Sequence, residues 1–270
     1  MVQSRHSHPS FPRFSFPFLS KTLFGPGINS TGVLYAEQAL LSCLGSGRRC
    51  ALIVHSGDSY TYVVPVVRGT TPEMIPEPLL YAALSTSVAG RAVSNHLAQQ
   101  LGAQGHHIED SKGRAIPLSW ALSRPVLDDI KESLCFVSLD FAADLQSCLQ
   151  SSILEKTYDL ENGDILFLGR ERFLCSEILF QHASGHPPPV QDLVRDSISL
   201  TPPELQAELW GSIVLSGGNT LLPGYAERLA QELAAQQPGR SSGIVALPER
   251  RLLPWIGGAI FATMETVRSR

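Results

Sequence analysis

The chain has 270 residues, of which 43% are hydrophobic and 17% are charged, and its formal net charge is -4. This composition is typical of a folded globular protein, and it excludes a highly charged disordered chain and a strongly basic nucleic-acid-binding domain. Because no apolar run of about 18 residues occurs, the sequence predicts no membrane-spanning helix and no membrane partner.

The cysteines indicate a reducing environment. There are five of them, an odd number, and no two stand at CxxC spacing. We therefore expect free, mostly buried thiols in a cytoplasmic or nuclear protein. His106 and His107 stand side by side, but no cysteine or carboxylate lies at zinc spacing from them, so we predict no metal site.

Residues 1–27 differ from the rest of the chain in composition. They are rich in proline, phenylalanine and serine and contain no acidic residue. The prolines disfavour a helix, so we expect a disordered tail. The lack of acidic residues is also a feature of transit peptides, but the prolines argue against the amphipathic helix that a transit peptide needs.

The first organised unit is a helix followed by two strands. Apolar residues at helical spacing predict a helix over 33–44, which ends at glycines. A short apolar run predicts a buried strand over 51–54, and β-branched and aromatic residues predict a second strand over 60–67. A polar turn over 55–59 separates the two strands.

The middle of the chain is predicted to be mostly helical. Apolar residues every four positions mark a helix that opens near Gly90. The stretch 102–124 has no clear period, so we expect a loop there. Pro125 suits the first turn of another helix, and Asn162-Gly163 between two apolar segments predicts a β-hairpin.

The last third contains a strand, a glycine turn and a helix. We predict the strand over 213–215, the turn over 216–219 and a helix that starts at Pro223. The backbone N–H groups of such a turn can meet a phosphate or a nucleoside, although Gly-Gly turns also occur in ordinary connections. A further apolar helix opens near Trp255.

Many of these segments resemble actin, in the same order and at nearly constant spacing. They are residues 38–42, 56–58, 64–66, 88–91, 129–135, 139–141, 171–173, 177–181, 214–220, 248–250 and 255–258. The run 214–220 looks like the adenosine motif of that family, and 56–58 looks like its second phosphate loop. The chain is therefore identified as a member of the actin superfamily over about 28–267, similar to its divergent, testis-associated members.

The resemblance implies an α/β fold with ligand-binding turns at the strand ends. An RNase-H-like subdomain with a mixed sheet would combine residues 28–81, which include a linking helix, with residues 186–270, which include the C-terminal helix. A mostly helical subdomain over 82–185 would be inserted between them. Since nothing ahead of Gln38 resembles actin's first phosphate loop, we expect the first actin domain to be largely missing.

The resemblance also implies a degenerate ATPase site. In actins, carboxylates hold the water shell of Mg²⁺, and a glutamine and a histidine position the attacking water. Gln38 keeps that glutamine and Asp58 keeps one loop carboxylate. His55 replaces the other carboxylate and Ser59 replaces a loop glycine. Tyr62 replaces the histidine, and a phenol is a poor base at neutral pH because it titrates at about 10.

The adenosine side of the implied site is better kept. The implied nucleotide-binding residues are Ser56, Gly57, Asp58, Ser59, Gly90, Lys131, Glu132, Gly217, Gly218, Asn219 and Arg251. Asp128 stands where a basic residue is usual, and Leu222 replaces an aromatic residue. These residues also have ordinary structural interpretations, with Gln38 as a packed or solvated polar residue, the glycines as turn formers and the helix charges as surface charge.

Three hypotheses about function follow. The first is a non-catalytic, cytoskeleton-associated structural or scaffolding protein, cytoplasmic or nuclear, which acts through protein partners and requires no cofactor. The second is a weak adenine-nucleotide-binding module or nucleotide sensor, which takes ATP or ADP with Mg²⁺ without efficient hydrolysis. The third is a shortened isoform, or a chain that needs a partner for stability, which would expose an apolar face.

Overall fold

The computed structural model describes residues 35–69, 71, 74–103, 107–109, 115–117, 124–160, 163, 165–181 and 187–264. Packing divides the chain into two units, Met1–Ala36 and Glu37–Arg270, and every element named below belongs to the second. The prediction of a disordered tail over 1–27 lies outside the described residues. None of the helices in the described part is long and apolar enough to cross a membrane.

The described part of the chain contains both helices and strands. In order they are α1 (Gln38–Gly45), β1 (Ala51–Ser56), β2 (Thr61–Val67), β3 (Glu77–Pro78), β4 (Leu84–Thr86), α2 (Gly90–Ala103), β5 (His107–Glu109), β6 (Ala115–Pro117), α3 (Arg124–Leu134), α4 (Phe141–Gln150), β7 (Lys156–Asp159), β8 (Ile165–Leu168), α5 (Glu171–Glu177), α6 (Val190–Ser199), α7 (Pro203–Trp210), β9 (Ile213–Ser216), α8 (Tyr225–Gln236), β10 (Ile244–Val245) and α9 (Leu253–Thr263).

A mixed sheet forms the centre of the second unit. Its strand order is β10-β9-β1-β2-β3, and β4 also pairs with β2. β9 runs parallel to β1 and to β10, whereas β2 runs antiparallel to β1, β3 and β4. The implied α/β fold with a mixed sheet is therefore confirmed.

Two hydrophobic cores cover the two faces of this sheet. In β1, Leu52 and Val54 belong to one core and Ala51 and Ile53 belong to the other, and all four are fully buried. Residues of α2, α3, α6 and α8 fill the first core, and residues of α1 and α9 fill the second. A strand buried on both faces has no polar side, which is why 51–54 is an unbroken apolar run.

Three predicted local structures are wrong in detail. The helix predicted over 33–44 begins only at Gln38, because Glu37 before it has an extended backbone with φ of -65° and ψ of 132°. Within the expected loop over 102–124, β5 and β6 pair with each other in antiparallel fashion, and strands of three residues are too short to show a period. Helix α8 begins at Tyr225 and not at Pro223, because a short 3-10 turn comes first and Gly224 then adopts a left-handed backbone with φ of 82°.

The segment 82–185, predicted as an inserted subdomain, contains α2 to α5 and the strand pairs β5–β6 and β7–β8. Its first strand, β4, pairs with β2 of the main sheet. Val93 and Leu97 of α2 lie in the same hydrophobic core as Leu52 of β1. The described part of this segment is therefore continuous with the core of the sheet, and the domain boundaries stay a prediction.

The cysteines are free thiols, as predicted. Cys43, Cys50, Cys135 and Cys175 are buried and Cys148 is partly buried. Burial raises the pKa of Cys43 to about 12 and the pKa of Cys50 to about 11. Both thiols are therefore protonated at neutral pH and behave as small apolar residues.

Helices α1 and α9 contact each other backbone to backbone. A Cβ atom on Gly257 would lie 1.7 Å from the carbonyl oxygen of Leu41. A Cβ atom on Gly45 would lie 2.3 Å from the carbonyl oxygen of Leu253. Since neither distance leaves room for a carbon atom, the helices can approach this closely only with glycine at both positions.

We expect Gly257→Ala to lower the free energy of unfolding by about 3 kcal/mol or more, because the added methyl group must push two helix backbones apart. Gly258→Ala is the matched control, since its nearest neighbour would be the Leu41 Cδ1 atom at 4.0 Å. The control should be neutral or gain up to about 1 kcal/mol from helix propensity. Urea unfolding measures both variants, and equal stability would contradict this contact.

Candidate functional site

Two turns leave the sheet side by side at one edge. β1 and β9 are parallel, and His55 lies opposite Ser216 in their register, so the turns that follow these strands are neighbours. Gly217 has a φ of 91°, and a Cβ atom there would lie 2.4 Å from the carbonyl oxygen of Ser56. Only glycine fits this position, which gives Gly217 a structural role.

The start of helix α2 closes onto the first turn. The backbone N–H of Gly90 donates to the carbonyl oxygen of Gly57 at 2.9 Å, and the N–H of Arg91 donates to that of Asp58 at 2.7 Å. The Arg91 side chain also pairs with the Asp58 carboxylate, with Nη2 and Oδ2 2.7 Å apart. Two backbone N–H groups at the positive, N-terminal end of α2 therefore bond within the protein. If they were unpaired, they would attract an anion.

The two turns, α2 and α3 surround a cleft of about 660 Å³. This volume lies within the range of small-molecule pockets in proteins. The implied nucleotide-binding residues that line it are Gly57, Asp58, Gly90, Lys131, Glu132, Gly218, Asn219 and Arg251. Most of the implied nucleotide-binding residues therefore lie in the wall of one cleft.

The remaining implied residues lie outside the lining of the cleft. The fully buried Ser56 hydroxyl lies 2.7 Å from the Thr61 hydroxyl and accepts a hydrogen bond from Asn219 Nδ2 at 2.9 Å. Ser59 is exposed and donates to Asp58 at 3.3 Å. Ser56 thus stabilises the contact between the two turns.

Lys131 is buried and does not belong to the exposed helix face that its sequence suggests. Only 7% of the residue is exposed. Its ammonium group donates to the Asp128 carboxylate at 2.9 Å, to the Ser94 hydroxyl at 3.0 Å and to the Gly90 carbonyl oxygen at 3.4 Å. An ammonium group has three donors, so these three bonds account for all of them.

Glu132 and Arg251 form a looser pair at the mouth of the cleft. Arg251 Nη1 and Glu132 Oε2 are 3.8 Å apart, and both side chains are 62% exposed. Such an exposed pair contributes less than about 1 kcal/mol to stability. Both groups can therefore rearrange around a ligand at little cost.

The positions implied for catalysis hold a stacked pair of neutral rings. The rings of His55 and Tyr62 are 4.8 Å apart between centroids and 16° from parallel, and His55 Nδ1 lies 3.2 Å from the Ser216 hydroxyl. Burial lowers the pKa of His55 to about 4. Burial, and to a smaller extent Glu37, raises the pKa of Tyr62. Neither ring lines the cleft.

The other implied catalytic remnants are separated. Gln38 is the first residue of α1, is exposed and does not line the cleft. Asp58 lines the cleft but pairs with Arg91. Within the part of the chain that the structure describes, no three histidine, cysteine or carboxylate side chains group together as they would to hold a metal ion.

Sequence reasoning did not assign two residues of the lining, Arg91 and Leu221. Arg91 directly follows Gly90, so its place in the lining could have been predicted from the role implied for Gly90. Leu221 lies in the 3-10 turn Gly218–Leu221, whose presence the sequence did not reveal.

A mixed sheet with a ligand-sized cleft at its strand ends is the arrangement of an α/β ligand-binding fold. The family model described as Actin matches residues 27–270. Because the match spans most of the chain, this protein belongs to the actin family. The resemblance found in the sequence is therefore confirmed at the level of the family.

The buried imidazole of His55 makes stability depend on pH. Its folded pKa of about 4 lies below the unfolded value of about 6.5, so the unfolded chain binds a proton first as the pH falls. The contribution of the neutral ring is complete above about pH 6.5 and is lost progressively towards pH 4.

We expect the wild type to lose about 2 kcal/mol more unfolding free energy than His55→Phe when the pH drops from 7 to 5. Phenylalanine keeps the stack on Tyr62 and cannot take up a proton. Urea unfolding at the two pH values measures the difference. A parallel loss in both proteins would show that His55 is not held neutral by burial.

Proposed function

We propose that this chain is a protein-binding member of the actin family that does not hydrolyse ATP. The observation that carries the proposal is the neutral, buried stack of His55 and Tyr62 at the positions where the resemblance puts a carboxylate and a histidine. A neutral imidazole is a poor substitute for the oxygen ligands that Mg²⁺ prefers. A protonated phenol that does not line the cleft is a poor base for a water bound there.

The open face of helix α9 supports the partner-binding part of the proposal. Leu252, the N-cap residue of α9, and Trp255, Ala259 and Ala262 within the helix follow one another at helical spacing and are all exposed, Trp255 by 66%. Residues at this spacing share one face of a helix, so the face is an apolar stripe open to solvent. Exposed apolar surfaces of this kind mark protein-interaction sites.

Family membership supports the remaining features of the proposal. The partner would be a protein, cytoskeletal or actin-related, and the chain would work in the cytoplasm with the cytoskeleton, or in the nucleus. Its resemblance to divergent members points to male germ cells. The sheet between two helical cores supports the RNase-H-like assignment.

We expect the purified chain to release no phosphate from millimolar ATP and Mg²⁺ above the rate in buffer, because the groups that would hold the metal and activate water are replaced. A coupled phosphate assay measures the rate, with a catalytically active actin beside it as the positive control. Release that requires Mg²⁺ and disappears in Asp58→Asn would contradict the proposal.

We expect a photo-crosslinking residue at position 255 to form a covalent adduct with a protein in cells that express the chain. The matched control carries the same residue in place of Glu204, an exposed position on α7. Adducts from position 255 but not from position 204, seen as discrete bands on a gel, would support the α9 face as the binding surface. Identical patterns from both positions would rule it out.

A second candidate function is weak binding of an adenine nucleotide without hydrolysis. The observation that favours it is the 660 Å³ cleft with glycines on its walls at Gly57, Gly90 and Gly218. Gly218 lets a ligand approach the backbone closely, since a Cβ atom there would meet only side-chain atoms of Arg251, at 3.8 Å and 3.9 Å. This function is compatible with the first, since a ligand in the cleft could accompany partner binding.

A further inference from the structure

The charged side chains that line the cleft are paired with one another. Three are acidic and three are basic, and they form the pairs Asp58–Arg91 at 2.7 Å, Asp128–Lys131 at 2.9 Å and Glu132–Arg251 at 3.8 Å. Their formal charges cancel. The cleft therefore offers an anion no excess of positive charge.

Lys131 is the cation that lies deepest in the cleft, and it has no donor left for a ligand. Its three N–H groups already reach Asp128, Ser94 and Gly90. To donate to a phosphate, Lys131 would have to release one of these three acceptors, and its ammonium charge is already neutralised by the Asp128 carboxylate at 2.9 Å.

A polyphosphate would also meet repulsion. The carboxylates of Asp58, Asp128 and Glu132 stand on the walls of the same cleft, and like charges repel more strongly in a partly enclosed site than in water. The N–H groups of Gly90 and Arg91 at the start of α2 are donated to the first turn. An uncharged ligand is not repelled by these carboxylates, and it needs no positive group or N–H donor to balance a charge.

The remaining features of the cleft suit an uncharged molecule with a flat ring and hydroxyl groups. Leu221 and Leu222 give it an apolar wall, and the planar guanidinium of Arg251 lies beside Gly218, where a ring can stack. The exposed carboxylate of Glu132 can accept hydrogen bonds from hydroxyl groups. A nucleoside combines a ring of this kind with a hydroxylated sugar.

We propose that the cleft binds an uncharged nucleoside in preference to a nucleoside triphosphate. The inference rests on the second candidate function, because it requires that the cleft takes a ligand. The proposed ligand differs from ATP or ADP, which the resemblance implies. The reason for the difference is the pairing of Asp128 with Lys131.

Isothermal titration of the full chain with adenosine, and separately with ATP and Mg²⁺, tests the proposal. We expect adenosine to bind at least ~10-fold more tightly than ATP. Asp128→Asn removes the counter-charge of Lys131, so it should raise the ATP affinity ~10-fold and change the adenosine affinity less than ~2-fold. Asp196→Asn, which alters an exposed partner of Arg195 on α6, is the matched control and should change neither affinity.

Glu132→Gln serves as a second variant, since it alters an exposed group and leaves the buried bonds of Lys131 in place. It should weaken adenosine binding and strengthen ATP binding, and circular dichroism confirms that each variant is folded. ATP binding as tight as adenosine binding in the wild type would overturn this inference and leave the second candidate function standing. If neither compound binds the folded wild type at millimolar concentration, both are overturned.

Discussion

The parallel pairing of β1 with β9 is the constraint on which the rest of the molecule depends. These strands lie far apart in the sequence, and their backbone hydrogen bonds bring two turns to one edge of the sheet. Because both strands are buried on both faces, helices must cover each side. The turns that follow these two strands, and the cleft residues that those turns carry, therefore take their positions from this pairing.

The polar groups at this edge are mostly satisfied by one another. The Ser56 hydroxyl joins the turns through Asn219, and the carbonyl oxygens of Gly57 and Asp58 receive the first N–H groups of α2. In a site that holds a polyanion, such donors are left unpaired until the ligand arrives. In this protein those groups bond to one another instead, and they hold the two turns and the start of α2 together.

Short-range sequence patterns predicted those elements whose burial or backbone geometry is visible in a few neighbouring residues. The apolar run 51–54 and the glycine turn at 216–219 could be placed because burial on both faces and a left-handed backbone leave direct signs in a sequence. The resemblance to actins identified most of the residues that line the cleft. The burial of Lys131 could not be predicted, because its partners Ser94 and Asp128 come from two helices whose packing no local pattern reports. The same applies to β5 and β6, which are too short for periodicity to reveal.

The glycine contact between α1 and α9 has a mechanical consequence. Side chains at a helix interface can change rotamer and so accommodate a small displacement of one helix against the other. A backbone-to-backbone contact cannot adjust in this way. We therefore expect the two helices to move together as one rigid unit. Because α1 ends at Gly45 and β1 begins at Ala51, we expect a force applied to the solvent side of α9 to reach the strand that leads to the cleft.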